Sequence, residues 1–554
     1  MWLGSFLRCL ESDSQRNRGD RKRCPQRRAG PNFSPRLVAL EDRTVPSTFT
    51  VGNLADSGPG SLRQAVLDAN ANPGADLIVF APATSGGTIA LTGGELSVTG
   101  DLTIDGPDAD RLTVSGNHAS RVFDISANTT ATIAGMTMID GLADGSAPTL
   151  PSIGGGILNF GNLTLSSVVL SDNQAVGDPD TSLLGGVGGA RGGGVANLGS
   201  GSLTISNSAF TGNQALGADH TVAHSIGTSV GGANGGAITN LATVSISDSQ
   251  FTHNVARAGS DCTGTLDIPA VGGAIFNNLS LTVTNSTFSH NQAIGGNDSS
   301  SVISTGFAAG GAIASGGNPA TGTRRLVVSA STFDHNQAIG GYRNQSSNPP
   351  SSPLGPNGAA GGAIHLSGGT VTISGCTIEH NSAIAGTGGA GQNGGLAWGG
   401  GLDAFERFDF GLVVTVSDST VSHNSEIGGA GGPGGDGGEG WGGGLANLLG
   451  AALTVINTTV DHNLAIGGAG GSGGDGADGE GGGIFQDELS TLTLLGAVVE
   501  YNLALGGTAG VGGSDGEGEG GGVYLEAGGT LFVDLLTDIT NNHASSSDDD
   551  VLGV

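Results

Sequence analysis

LTVTNSTFSHNQAIGG, Leu281–Gly296, is the stretch on which the reading of this chain turns. Its first half alternates apolar and polar residues. Leu281 and Val283 face one side, Thr282 and Thr284 the other, which is the period of a β-strand. Phe288 adds a large apolar group further on, and Asn291 closes the strand. A small residue, an apolar residue and glycine follow. The same phrase returns as LTISNSAF, VSISDSQF and VTVSDSTV. A histidine often stands directly before its asparagine.

Aligned on the asparagine, the chain holds ten copies, ending at Asn173, Asn213, Asn254, Asn291, Asn336, Asn381, Asn424, Asn463, Asn502 and Asn542. The spacings are 40, 41, 37, 45, 45, 43, 39, 39 and 40 residues. A sustained period in this range means a solenoid, a propeller or an array. Each unit opens on a glycine-led tetrad such as GGAI (Gly272–Ile275, Gly361–Ile364) or GGGL (Gly442–Leu445), often with an asparagine two residues on. The fixed parts suffice for one turn of three short strands, with ~15 remaining residues expected to leave as a loop. One turn cannot bury its apolar side chains alone, but stacking on the next, ~4.8 Å away, pairs the backbones and covers the core. A WD-repeat propeller needs four strands per ~40 residues, and no WD or GH signature recurs. The expected fold class is therefore all-β: a right-handed parallel β-helix solenoid with a short N-terminal capping helix and Gly-rich loops.

Glycine supplies 107 of 554 residues, but without the proline-rich Gly-X-Y period of collagen. Residues 1–46 carry ten basic and five acidic side chains, leaving nine basic against 44 acidic in residues 47–554, a net of −35. A body so acidic repels nucleic acid and anionic lipid. The four cysteines, Cys9, Cys24, Cys262 and Cys376, form neither a disulfide framework nor a zinc motif. No run reaches the ~18 apolar residues of a membrane-spanning helix. In SLRQAVLDANANPGADLIVF (Ser61–Phe80), Ser61 is placed to cap a helix whose buried face is Leu62, Ala65, Val66 and Ala69. The organisation read from these features is a basic export leader (1–46), an N-terminal cap (47–84), solenoid repeats (85–545) and an acidic tail (546–554).

GGAI paired with F-x-x-N resembles the repeats of chlamydial polymorphic outer membrane proteins. More broadly, it is similar to bacterial parallel β-helix surface proteins of the pectin-lyase-like superfamily. The tetrads and asparagines of all ten units fit this pattern, and Phe210, Phe251, Phe288 and Phe333 supply its aromatic residue. PRLVALEDRTVPST (Pro35–Thr48) resembles a phrase near the start of many planctomycete exported proteins. These resemblances imply a secreted or cell-surface protein, with outer-membrane association as one form of display. The likeness to the chlamydial family stops before its translocating barrel.

Three residue series are candidates for function. The asparagines are expected to form a structural ladder, because asparagine tolerates turn geometry and stacked copies bond one another. His253, His290, His335, His380, His423 and His462 occupy six consecutive units and form a row that could share a metal. The reading finds no acidic ligand at a fixed offset from them. Protonating such a row costs repulsion, so stability is expected to fall below about pH 6. Late glycine-rich loops carry Asp436, Glu439, Asp475, Asp478, Glu480, Asp515, Glu517 and Glu519, an acidic stripe whose natural cation is calcium. The calcium-binding nonapeptide is not reproduced, so these loops are expected to be solvated and flexible.

Catalysis has weak support in the sequence. The repeat body contains no lysine and no Gly-His-Gly, and the triplet Asp548–Asp550 lies in the tail. Asp105, Asp108 and Asp110 with Arg111 and Arg121 are the nearest approach to a catalytic cluster. The expectation is a non-enzymatic surface repeat protein with an adhesive or matrix role and a glycan or protein partner. The alternative is a polysaccharide lyase or glycoside hydrolase on the same scaffold, since fold alone decides nothing about activity.

Overall fold

The computed structural model describes residues 46–145, 152–180, 182–183, 186–223, 229–264, 268–301, 305–316, 324–346, 356–406 and 411–553. The proposed leader lies almost wholly outside them. The described chain is a right-handed parallel β-helix. Five long sheets run along it, and within them every strand pairs in parallel with its counterpart one turn away. One turn visits them in a fixed order, which Ile275–Ala309 illustrates. Ile275–Asn277 belongs to a 13-stranded sheet (sheet V). Ser280–Thr284 belongs to the 14-stranded sheet I, Thr287–Ser289 to the 13-stranded sheet II and Gln292–Ile294 to the 11-stranded sheet III. Thr305–Ala309 then enters the nine-stranded sheet IV. At ~4.8 Å per strand, sheet I is roughly 60 Å long.

The alternation seen in the sequence sets which side chains enter the core. Leu281, Val283 and Phe288 are fully buried, whereas Thr282 and Thr284 are not. In sheet II, Phe210, Phe251, Phe288 and Phe333 stack inside the rod at 4.8, 4.8 and 4.9 Å between ring centroids. Sheet III faces inward with alanine at nearly every turn (Ala256, Ala293, Ala338, Ala383), and one turn replaces it with Glu426. Helix Leu62–Ala71 begins at Ser61, whose side chain accepts from the Gln64 amide, and it buries Leu62, Ala65, Val66 and Ala69.

The asparagines are inside. Each donates its Nδ2 to the Oδ1 of its counterpart one turn on, at 2.9–3.0 Å from Asn173 to Asn542. Each Oδ1 also accepts the backbone amide of the preceding rung, as Asn291 does from Asn254 at 3.0 Å. The last rung closes on the tail: Asn542 donates its amide and Nδ2 to Asp550 Oδ1, at 3.1 and 3.0 Å. A carboxylate there occupies the place of an eleventh asparagine, and Val551–Leu552 adds a final strand to sheet V. A second, shorter ladder links Asn159, Asn197, Asn240 and Asn277 at 2.7–3.0 Å in sheet V.

Two expectations are corrected. The turn holds more than three strands, because the chain between sheets III and V adds a short strand, such as Gly440–Trp441, to sheet IV. The late glycine-rich segments are also ordered. From Gly428 to Gly440, every third amide donates to the next turn: Gly428 to Ile466, Gly431 to Ala469, Gly434 to Ser472, Gly437 to Asp475 and Gly440 to Asp478. The pattern repeats from Gly467 to Gly479. A three-residue period is that of polyproline II-type backbone, and each segment doubles back on itself as well, with Gly438 N donating to Gly429 O and Gly435 N to Gly432 O. Side chains are excluded by packing: a Cβ on Gly432 or Gly471 would collide with the carbonyl oxygen of Gly389 or Gly432. Glycine density thus reflects close backbone packing rather than flexibility.

Candidate functional site

The histidine row lies on the outside. The six rings stack at 4.9–5.2 Å, and Tyr501 extends the row at 5.3 Å from His462. All six histidines have φ between 53° and 56°. The turn therefore places its left-handed backbone on the residue before the asparagine, correcting the expectation that the asparagine itself takes it. Histidine is among the residues enriched in that conformation, and the same column uses Asp172, Gly212 and Asn541. No acid stands at a fixed offset along the row, but individual turns bring one to it. Asp334 Oδ1 lies 2.6 Å from His335 Nδ1 and 3.4 Å from His380 Nδ1, and Asp461 Oδ2 lies 3.0 Å from His462 Nδ1.

The acidic stripe divides into two parts. Asp436, Asp475, Asp478 and Asp515 accept backbone amides: Asp475 N to Asp436 at 2.9 Å, Ser514 N to Asp475 at 2.7 Å, Glu517 N to Asp478 at 2.6 Å and Ala509 N to Asp515 at 2.6 Å. The carboxylates of Asp436, Asp475 and Asp478 stitch one glycine loop to the next, that of Asp515 bonds within its own loop, and the four do not converge as ligands. Glu439, Glu480 and Glu519 instead stand beside a groove between sheets IV and V.

That groove is built from the residue directly before each glycine tetrad. Register pairs Ala360 with Trp398, Trp398 with Trp441, Trp441 with Glu480 and Glu480 with Glu519 along sheet IV. Opposite, sheet V presents His365, Asp403, Ala446, Phe485 and Tyr524. The rings form one continuous row: Phe307–Trp398 at 5.7 Å, Trp398–Trp441 at 6.5 Å, Trp441–Phe485 at 5.1 Å and Phe485–Tyr524 at 5.4 Å. A cleft of about 280 Å³ opens on it, lined also by Phe405, Leu448, Asp487, Glu488 and Glu526, with no lysine or arginine.

The electrostatics are one-sided. Burial, reinforced by Glu439, Asp478 and Glu519, pushes the Glu480 carboxyl up to about 8. Burial and neighbouring carboxylates also raise Glu439, Glu519 and Glu526, and burial followed by Glu480 raises the Tyr524 hydroxyl. At the inner end, His365 Nδ1 lies 2.8 Å from Asp403 Oδ2, and Asp403 is fully buried. Burial raises the Asp403 carboxyl, with His365 opposing. The arrangement combines flat apolar faces with acceptors and with one carboxyl, Glu480, that stays protonated near neutrality.

Sequence reasoning missed this groove. A signal was present: two of the chain's three tryptophans, Trp398 and Trp441, occupy the same place before a tetrad. The cluster it did propose is not assembled. Asp105, Asp108, Asp110 and Arg111 are exposed, whereas Arg121 is buried and pairs with Glu95 at 3.0 Å. Asp124, close by, is raised to about 6 by burial and by Glu95, against Arg121.

No family model matches the chain, and no curated protein matches it. Among solved structures, it is similar to the catalytic unit of a GH87 alpha-1,3-glucanase from Streptomyces thermodiastaticus, at 14% identity over 91% of this chain and 70% of that one, TM-score 0.37. It is also similar to tailspike protein 3 of bacteriophage CBA120, at 10% identity over 90% and 60%, TM-score 0.31. A third likeness is to the A-module of the Azotobacter vinelandii mannuronan C-5 epimerase AlgE6, at 11% identity over 89% and 100%, TM-score 0.27. At such identities and scores none transfers an activity to this chain.

Proposed function

We propose that this protein is a non-enzymatic, carbohydrate-binding solenoid displayed outside the cell, an adhesive or matrix rod whose partner is a surface glycan. The observation that carries the reading is the ring row Phe307–Trp398–Trp441–Phe485–Tyr524, whose Trp441 and Tyr524 are partly exposed at the cleft and are backed by the buried Trp398 and Phe485. Sugar rings expose C–H faces that stack on aromatic rings, and their hydroxyls need acceptors at the rim, which the carboxyls supply. A groove parallel to the rod axis suits an extended chain better than a single sugar. Export is supported by the leader-like phrase at Pro35–Thr48, and surface display by the repeat phrases that resemble those of chlamydial outer membrane proteins.

Retention on a panel of immobilised polysaccharides tests the reading. The wild type is retained by at least one neutral polysaccharide, and Trp441→Ala is not. Alanine is tolerated at this position, because Ala360 and Ala309 occupy it two and three turns earlier. No retention on any polysaccharide, or equal retention of the variant, contradicts the proposal. The alternative, a carbohydrate-active enzyme, draws on one specific feature: Glu480 is protonated near neutral pH and could serve as a general acid. Release of reducing ends or of unsaturated products from a retained polysaccharide, lost in Glu480→Gln, would favour it.

A further inference from the structure

We propose that Asp334, His335 and His380 form a site for one divalent transition-metal ion that clips two successive turns of the rod together. The site is independent of the glycan reading. Among the described residues, only this trio brings three histidine, cysteine or carboxylate ligand atoms within 4.8 Å of one another. It crosses the turn boundary: Asp334 and His335 close one unit, and His380 closes the next.

The geometry is close to that of a bound ion. Zinc–nitrogen and zinc–oxygen bonds of about 2.0–2.2 Å place tetrahedral ligand atoms roughly 3.3 Å apart. Asp334 Oδ1 and His380 Nδ1 already stand 3.4 Å apart. His335 Nδ1, at 2.6 Å from the same oxygen, hydrogen-bonds where the ion would sit and has to swing outward by less than an ångström. Both rings are about half exposed, so the swing meets no core packing.

The fold supplies the preorganisation. His335 and His380 both have φ 54°, and each is followed by a buried rung of the asparagine ladder, so their backbones are fixed one turn apart. His290 and His423 stack on the outer faces of the pair, at 5.1 and 5.2 Å. The remaining pairs lack this element. Thr252 precedes His253, Ser289 precedes His290, and Ser422 precedes His423, so no carboxylate stands there. Glu379 precedes His380, but among the described residues it does not join two rings in a second cluster. Asp461 meets His462 alone. Two imidazole nitrogens and one carboxylate oxygen, with further positions open to solvent, suit Zn²⁺, Ni²⁺, Co²⁺ or Cu²⁺ rather than calcium, which takes oxygen ligands.

Calorimetric titration of the full chain with Zn²⁺ and with Ni²⁺ tests the site. One saturable site per chain is expected. Its affinity should fall at least ~10-fold in His335→Asn, His380→Asn and Asp334→Ser and stay unchanged in His253→Asn, in line with the cost of losing a ligand or its support. These substitutions respect the fold, because Asn541 occupies the histidine column and Ser289 and Ser422 occupy that of Asp334. The Cu²⁺ complex should show two nitrogen ligands by electron paramagnetic resonance, and one in either histidine variant. Absence of saturable binding, or affinity that the three variants leave unchanged, overturns the proposal.

Discussion

Asn291→Ala removes one rung from the middle of the asparagine ladder. Asn291 is fully buried and makes four side-chain hydrogen bonds. Its Oδ1 accepts from Asn254 N at 3.0 Å and Asn254 Nδ2 at 2.9 Å, and its Nδ2 donates to Phe251 O at 2.8 Å and Asn336 Oδ1 at 2.9 Å. Alanine leaves the Asn254 amide with no partner and no access to water. Asn254 Nδ2 keeps its bond to Phe210 O, and Asn336 Oδ1 keeps that from the Asn291 amide. One full orphan and several half-satisfied groups, at about 1–3 kcal/mol for each unsatisfied buried group, give an expected loss of about 3–5 kcal/mol. That is a large share of the ~5–15 kcal/mol of a typical domain. Urea denaturation followed by far-UV circular dichroism reads the loss. Because a solenoid unfolds by neighbouring turns, hydrogen exchange should quicken first at the amides of Asn254, Asn291 and their flanking strands. The exposed neighbour substitution His290→Asn is the control, with a change near zero. A loss below about 1 kcal/mol for Asn291→Ala would refute the reasoning and assign the stacking to apolar burial alone.

Other outcomes follow from the same structure. Glu426 replaces alanine inside the rod, fully buried, and burial holds its carboxyl well above the ordinary range. Its ionisation in the unfolded chain therefore lowers stability as pH rises past about 4.5, so Glu426→Ala should melt higher than wild type at pH 8, with the gap shrinking towards pH 4. Glu480, raised to about 8, behaves alike: Glu480→Gln should flatten the loss of stability between about pH 5 and 8. Gly471→Ala inserts a Cβ against the Gly432 carbonyl and should cost about 1–3 kcal/mol, as overpacking does, with exchange quickening in the late loops. Phe288→Ala opens the stack between Phe251 and Phe333 and should cost about 3–5 kcal/mol in the same denaturation assay.

The path of the rod was legible because its signals are local. Leu281 and Val283 alternate within one strand, the tetrads recur before each unit, and Ser61 precedes the apolar face of its own helix. Sheet IV was not legible, since its strands are as short as Gly440–Trp441, and the segments before them, such as Gly428–Gly440, carry no apolar alternation. Their order comes from amides at every third residue bonding a chain about 40 residues away. The groove was hidden for a related reason. Trp398, Trp441, Glu480 and Glu519 become neighbours only when turns of unequal length are placed in register. The reading of the histidines sought an acid common to all units, and Asp334 matters because it is not common. Histidine before asparagine answers first to the left-handed turn, and one pair of turns adds a carboxylate to it.

The most direct test of the glycan-binding account uses the tryptophans themselves. In full-length Trp2→Phe protein, Trp398 and Trp441 are the only indoles left, and both belong to the ring row. Titration with oligosaccharides of a retained polysaccharide should shift or quench their emission saturably, and longer oligomers should bind more tightly than short ones. Emission that stays unchanged while the polysaccharide still retains the protein would place the binding surface elsewhere and contradict the account.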